Sequence, residues 1–96
     1  MRPSELLDHH REAIRRVVAA HRASNPRVFG SVVYGEDNES SDLDLLIDPG
    51  EGMSPFEMGG IIAELNELLG IELDVVSARA MPEPMRQRVL RDALPI

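Results

Sequence analysis

The sequence predicts an α+β fold, a small mixed β-sheet of about three strands packed by helices. Three segments place apolar residues three and four positions apart, which is typical of helices with one buried face. Two shorter segments alternate apolar residues with acidic or other residues, which favours strands, and a third is a short β-type run. The elements follow one another in the order α-β-β-α-β-α, and the 96 residues are expected to form one domain, residues 1–96.

The first third of the chain is predicted to form a helix, a short strand and a loop. The helix is expected from Ser4 to about Arg22 and to end before Asn25-Pro26, because proline disfavours helical geometry in the residue before it. The strand is expected from Arg27 to about Val32, with a short helical turn after Gly30-Ser31 as an option. A polar loop follows, whose acidic residues are expected to be solvated: Glu36, Asp37 and Glu39.

Two further strands and a last helix are predicted beyond this loop. The second strand is expected from Asp42 to Ile47, and Asp48 is expected to be a turn residue because Pro49-Gly50 follows it. The third strand is expected from Ile71 to Val76, and the last helix from Pro82 to about Leu94.

The helix between the second and third strands has the clearest sequence boundaries. Ser54 is a good N-cap, Pro55 suits the first helical position, and Glu57 is placed to complete a capping box. Gly70 is a typical stop after the last helical residue. Parallel strands need a long crossover connection, and this helix can supply one.

Composition excludes several kinds of chemistry. The net charge is −7, and a stable complex with nucleic acid is not expected because such binding relies on cationic contacts to phosphates. All ten basic residues are Arg, which excludes a P-loop lysine and lysine-based covalent catalysis. The absence of Cys excludes thiol nucleophiles and Cys-ligated zinc. With no signal peptide recognised and no apolar run long enough to span a bilayer, we expect a cytoplasmic protein without membrane attachment.

Two carboxylates on the second predicted strand are the main candidates for function. Side chains alternate faces along a strand, so Asp42 and Asp44 point the same way while Leu43 and Leu45 point into the core. An acidic face is costly to bury without a cation. Magnesium prefers oxygen ligands and is commonly shared between one or two carboxylates and substrate phosphates, and two such ions can clamp the attacking and leaving oxygens.

A third carboxylate is expected from the next strand. Asp74 lies on the side opposite to the apolar residues Leu73 and Val75, as Asp42 and Asp44 do on their strand. If the two strands are neighbours, the three carboxylates converge, and Asp74 is then either a metal ligand or a general base for an attacking hydroxyl. Glu72 shares this face one step earlier and ranks second.

Gly30 and Ser31 are the candidates for holding phosphates. Glycine lets the backbone approach a phosphate closely, and Ser31 adds a hydroxyl donor. Alone, a Gly-Ser pair is usually a turn and an Asp-x-Asp pair is common on polar strands. The two motifs lie ten residues apart, and the third carboxylate follows downstream, a combination that indicates a nucleotide-binding site with Mg²⁺, of which two ions are expected.

These motifs resemble those of the nucleotidyltransferase superfamily related to DNA polymerase beta, whose signature is Gly-Ser, ten residues, Asp-x-Asp and a third carboxylate. The run from VFGS through SDLDLLID, with ELNELLG, IELDVV and RQRVLRDALP, resembles the minimal nucleotidyltransferases, the MntA-like antitoxins. The resemblance covers roughly Arg27 to Pro95. It implies a polymerase-beta-like nucleotidyltransferase fold and an enzyme that transfers AMP from ATP to a tyrosine of a HEPN-domain (HepT-like) ribonuclease toxin, its partner in a hetero-oligomer.

By position, the resemblance implies that Gly30 and Ser31 hold the triphosphate, that Asp42 and Asp44 bind magnesium, and that Asp74 completes the site. Relatives often carry Arg before the second glycine of this loop, where this chain has Tyr34. An alternative is an antitoxin that neutralises its toxin by contact alone, without catalysis. Transfer to RNA or to an aminoglycoside-like small molecule is a further alternative, disfavoured by the acidic charge and by the small size.

Histidines and arginines outside the motif are assigned structural roles by default. His10 and His21 fall near the apolar side of the first helix and are expected to be packed. The arginines of the last helix suit a solvated face near a helix C-terminus, with a contact to nucleotide phosphates or to the partner as the alternative: Arg86, Arg88 and Arg91.

Overall fold

The computed structural model describes residues 1–96 and has a mixed α+β architecture, as predicted. The helices are α1 (Pro3–Ala20), α2 (Pro55–Leu69) and α3 (Glu83–Asp92). The strands are β1 (Ala23–Phe29), β2 (Leu43–Pro49), β3 (Leu73–Ser77) and β4 (Leu94–Pro95). Short 3₁₀ turns follow β1 at Gly30–Val32 and β3 at Ala78–Ala80. None of the helices combines the length and the apolar character that crossing a membrane requires.

The sheet has four strands in the order β3-β2-β1-β4, one more than the sequence predicts. β2 pairs in parallel with β3, and α2 makes the crossover between them, as expected. β1 pairs antiparallel with both β2 and β4. The extra strand, β4, is two residues long and pairs with Arg27 and Val28, which is too short for any periodicity to be visible in the sequence.

The alternation of β2 separates two apolar cores on opposite faces of the sheet. Leu43, Leu45 and Ile47 are fully buried in the larger core, which α1 and α2 cover. Leu46 is also fully buried, but it belongs to a smaller cluster with Met81 and Val89, beneath α3. Asp44 and Leu46 are two residues apart on β2, so their side chains lie on the same face of the sheet. The carboxylate face of β2 is therefore the face that α3 covers.

The segment between α1 and β2 departs from the prediction. α1 ends at Ala20, and Asn25-Pro26 lies inside β1 rather than at the helix end. Asn25 has a positive φ of 53°, and the pairing with β2 shifts register between Ser24 and Arg27. Proline is tolerated in a strand at such an irregularity, because the ladder there lacks a regular hydrogen bond to lose.

Two acidic residues that were expected to be a turn residue and a solvated residue accept hydrogen bonds from distant parts of the chain instead. Asp48 lies within β2, where its carboxylate accepts hydrogen bonds from Arg27 and Asn25. Asp37 is only 7% exposed and accepts a hydrogen bond from the backbone N–H of Ser4, 3.0 Å away. Burial alone would raise the pKa of Asp37, but hydrogen bonds from Ser4 and from its own backbone N–H, together with the charge of Arg2, lower the pKa overall. Asp37 therefore ties the loop to the start of α1.

α2 begins and ends as predicted, with Ser54 as its N-cap and Gly70 in the left-handed conformation at its C-terminus. The Ser54 hydroxyl accepts a hydrogen bond from the N–H of Glu57. The carboxylate of Glu57 bonds to His21 at 2.7 Å instead of completing the capping box, and Glu64 bonds to the other ring nitrogen of His21 at 2.8 Å. His21 is thus packed, as expected, and it connects the end of α1 to α2.

Candidate active site

The strand register brings two of the predicted carboxylates side by side. Asp44 of β2 is the direct partner of Asp74 in the parallel pairing with β3. On its other side Asp44 is the partner of Phe29, the last residue of β1. Asp42 lies one residue before β2 and is exposed. The edge of the sheet therefore joins the Gly30 turn, Asp44 and Asp74 across three adjacent strands.

Asp44 is the carboxylate whose environment is most unfavourable for negative charge. Burial raises the pKa of Asp44, and repulsion from Asp74 and then from Asp42 raises it further. No hydrogen bond to the Asp44 side chain offsets these effects, and Glu72 is not among the charges that act on it. A half-buried carboxylate facing two others is favourable only when positive charge is nearby, so the site is suited to bind a cation.

The Gly30 turn lies directly against Asp44. Gly30 has a positive φ of 77°, and a Cβ atom on it would lie 2.4 Å from the Oδ2 atom of Asp44. Residue 30 is therefore glycine for two independent reasons, its backbone conformation and its contact with the carboxylate. The optional helical turn after Gly30-Ser31 is present as the 3₁₀ turn, which closes by a bond from the N–H of Val33 to the Gly30 carbonyl.

Two adjoining cavities lie on the face that α3 covers. The first, of about 270 Å³, is lined by Phe29, Asp44, Asp74, Val76, Ala80, Met81, Pro82 and Met85. The second, of about 200 Å³, is lined by Phe29, Gly30, Tyr34, Met85, Arg88, Val89 and Asp92. Because Phe29 and Met85 line both, the cavities form neighbouring parts of one groove that passes from the carboxylates to the Gly30 turn.

A larger groove of about 460 Å³ lies elsewhere, between α1 and α2. It holds no predicted site residue, and its two carboxylates, Glu64 and Glu67, lie beside Arg16 on an open surface. We place the candidate site in the groove beneath α3, since only there do in-register carboxylates, a left-handed glycine and a concave surface coincide.

The donor set of the site is compatible with magnesium. No three His, Asp or Glu side chains in the chain converge closely enough to hold one metal ion by themselves. The three predicted carboxylates thus do not form a closed metal cage. Asp44 and Asp74 can contribute the one or two carboxylate ligands that Mg²⁺ usually takes from a protein, with substrate phosphates and water supplying the others.

Sequence reasoning missed the apolar wall of the groove. Met81 and Met85 come from the start of α3 and its preceding turn, and Phe29 comes from β1. No helical spacing relates the two methionines, because Met81 is extended and precedes α3 while Met85 lies within it. That both methionines face the carboxylates, and not the larger core, depends on the path of the chain after β3.

Tyr34, the position that departs from the family pattern, contacts α3. Its hydroxyl donates a hydrogen bond to the carboxylate of Asp92, and this bond raises the pKa of the tyrosine hydroxyl. Hydrogen bonds from Arg91 and then from Tyr34 lower the pKa of Asp92. The loop is therefore connected to the last helix beside the second cavity.

Comparison with known proteins places the chain in a family. Residues 14–96 match the family model described as polymerase beta, nucleotidyltransferase. The chain belongs to this nucleotidyltransferase family, which confirms the resemblance that the Gly-Ser and Asp-x-Asp motifs carry. The fold is accordingly the polymerase-beta-like nucleotidyltransferase fold.

Individual relatives narrow the class of enzyme. The chain is 31% identical over 80 residues to a provisionally named protein adenylyltransferase of Methanocaldococcus jannaschii, covering 83% of this chain and 86% of the relative. It is 36% identical over 67 residues to the protein adenylyltransferase MntA of Thermococcus cleftensis, covering 70% of this chain and 68% of the relative. These relatives are nucleotidyltransferases named for transfer to protein.

Solved structures confirm the fold. A structure described as a minimal nucleotidyltransferase has a TM-score of 0.88 and 42% identity, covering 97% of this chain and 95% of the other. The crystal structure of a toxin-antitoxin with AMP-PNP has a TM-score of 0.71 at 15% identity, covering 97% of this chain and 71% of the other. At that identity the second comparison shows a shared fold alone.

Proposed function

We propose that residues 1–96 act as a single minimal nucleotidyltransferase domain, an antitoxin that transfers AMP from ATP to a tyrosine of a HEPN-type ribonuclease toxin in the presence of Mg²⁺. The observation that carries the proposal is the edge at which the Gly30 turn, directly after β1, meets Asp44 of β2 and Asp74 of β3. The relatives named protein adenylyltransferases support protein as the acceptor. The toxin-antitoxin neighbour with AMP-PNP, which shares the fold, motivates ATP and a toxin as substrates.

Each candidate residue has a role that follows from its place at this edge. Gly30 allows the backbone to approach the triphosphate, and Ser31 adds a hydroxyl that can donate to it. Asp42 and Asp44 are the magnesium ligands of the proposal. The bound ion supplies positive charge that neutralises the phosphates and stabilises charge developing in the transition state.

The transfer step needs a proton acceptor near the attacking hydroxyl. The tyrosine oxygen of the acceptor bonds to the α-phosphorus of ATP, the bond to pyrophosphate breaks, and the hydroxyl proton must leave. Asp74 is in register with Asp44, and this position supports a role for Asp74 as the general base for this proton or as a further ligand. An acidic protein surface is consistent with a protein acceptor, since RNA would be repelled by the net charge of −7.

The direct test mixes the purified chain with Mg-ATP and the toxin encoded beside it, and reads the toxin by intact-mass spectrometry. A mass increase of one or more AMP groups on the toxin is expected. Asp42→Asn and Asp44→Asn should abolish the increase. Asp48→Asn is the matched control, because Asp48 lies on the same strand and the same face but bonds to Arg27, outside the groove.

The competing function is neutralisation by contact alone. Exposed apolar side chains lie around α3, where Met85 is 41% and Leu90 is 46% exposed, and such side chains can serve a protein interface. If the toxin binds but gains no mass, transfer is ruled out as the mechanism. A doubly substituted Asp42→Asn, Asp44→Asn chain that still neutralises the toxin would establish the binding function instead.

A further inference from the structure

One arginine of α3 lines the groove without a partner. Arg88 borders the second cavity together with Gly30 and Tyr34, and its guanidinium makes no hydrogen bond or ion pair in the chain. By contrast, Arg86 on the same helix pairs with Glu83, and Arg91 pairs with Asp92. Arg88 is therefore the cation of α3 that is free to bind an anion in the groove.

The neighbouring hydrogen bonds explain why the guanidinium of Arg88 has no partner within the chain. Its natural partner would be Asp92, four residues later on the same helix, since residues at this spacing are neighbours. The Asp92 carboxylate is already bonded to Arg91, with Nε 2.9 Å from Oδ1, and to the hydroxyl of Tyr34. Tyr34 and Arg91 thus hold the two oxygens of Asp92, and Arg88 acts on this carboxylate through its charge without a hydrogen bond.

We infer that Arg88 binds the terminal phosphates of the nucleotide and that Tyr34 is a positioning residue that keeps Arg88 available by holding Asp92. This inference rests on the proposed function, in which the α-phosphate lies beside Asp44 and Asp74. The groove continues from those carboxylates past Gly30 to Arg88, so the β- and γ-phosphates of a nucleotide lying along it reach the guanidinium. A guanidinium also matches phosphate oxygens with paired donors.

The test measures nucleotide binding to the chain itself, by displacement of a fluorescent ATP analogue with ATP or AMP in the presence of Mg²⁺. Arg88→Gln is expected to weaken ATP binding about tenfold or more, the value of one charge-assisted hydrogen bond, and to leave AMP binding unchanged. Arg88→Lys should recover part of the loss. Arg86→Gln is the matched control on the same helix, and it should bind both nucleotides as the unaltered chain does.

The role of Tyr34 is tested by substitution and rescue. Tyr34→Phe removes the hydrogen bond to the Oδ2 atom of Asp92, which can then accept from Arg88 while Arg91 keeps Oδ1, so ATP binding should weaken several-fold while AMP binding is retained. Adding Asp92→Asn to Tyr34→Phe removes the competing charge and should restore ATP binding. A structural role of the tyrosine would give no such split between ATP and AMP and no such rescue.

The outcomes separate this inference from the proposed function. Equal losses of ATP and AMP binding in Arg88→Gln, or no loss at all, would overturn the role of Arg88 while leaving the transferase intact. Normal ATP binding by Tyr34→Phe would overturn the role of the tyrosine. Failure of the unaltered chain to bind ATP would overturn the proposed function together with the inference.

Discussion

The contact between Gly30 and Asp44 allows a sharp test of the site, through Gly30→Ala. Residue 30 has a φ of 77°, and its Cβ would lie 2.4 Å from Oδ2 and 3.3 Å from Cγ of Asp44. Gly70 and Gly35 both have a φ of 68° with nothing within 4 Å of a Cβ. Replacing either of these glycines with alanine therefore measures the free-energy cost of the left-handed backbone without a steric clash.

The magnitude follows from adding the two effects. Placing alanine in the left-handed region costs about 1 kcal/mol relative to glycine. The clash falls on the end of a half-buried side chain, so Asp44 can rotate away, at a cost of about 0.5–1.5 kcal/mol for leaving its preferred rotamer. Gly30→Ala should therefore lower the free energy of unfolding by about 1.5–2.5 kcal/mol, and Gly70→Ala by about 1 kcal/mol.

The assay is urea unfolding at pH 7, repeated in an Asp44→Ala background. The Cβ atom of Asp44 lies 3.6 Å from the Cβ position of residue 30, which is an ordinary contact. In the Asp44→Ala background, Gly30→Ala should therefore lower the free energy of unfolding only as much as Gly70→Ala does. Gly30→Ala alone should also reduce AMP transfer about a hundredfold, because the rotated carboxylate is misplaced. Equal costs of Gly30→Ala in both backgrounds would refute the proposed contact.

Three further results are expected. Burial and like charges raise the pKa of Asp44, so the ionised carboxylate lowers the stability of the fold above that pKa. Asp44→Asn should therefore raise the urea midpoint of unfolding at pH 7, and the increase should shrink toward pH 4. An unchanged midpoint at pH 7 would contradict this. Hydrogen bonds that the protonated ring of His21 donates to Glu64 and then to Glu57 raise the pKa of His21, so its contribution to stability is complete below about pH 6.5 and is lost as pH rises through the raised value. Thermal unfolding of His21→Gln should accordingly differ from the unaltered chain most near pH 6 and least near pH 9, and a pH-independent difference would argue against this. Leu46→Ala should lower the free energy of unfolding by about 2–5 kcal/mol in urea, because the side chain is fully buried beneath α3; a loss under 1 kcal/mol would show that this cluster contributes little.

Local signals in the sequence predicted much of the fold. The caps at Ser54 and Gly70 are interactions within a few residues, and both are present as expected. β4 escaped prediction because two residues have no measurable period, and its pairing with Arg27 and Val28 joins positions more than sixty residues apart. The burial of Asp37 likewise depends on Ser4, thirty-three residues earlier in the chain.

The candidate site was predictable to a different degree for each residue. The strand period alone put Asp42 and Asp44 on one face and Asp74 on the equivalent face of its own strand. That Asp44 and Asp74 are direct partners is a matter of register between strands separated by α2. The sequence offers no local signal for that register, since it is set by how the helix packs on the sheet.

By itself, the sequence determined the residue types and the faces: a glycine turn, an acidic face on two strands, an arginine-only set of cations and the family to which they point. Tertiary structure alone decided that the Gly30 turn touches Asp44, that α3 covers the acidic face, and that Tyr34 bonds to Asp92. The physical reason is the separation along the chain over which each interaction acts. Periodicity and capping act over a few residues, whereas charge repulsion, burial and cavity shape depend on which distant segments the folded chain brings together.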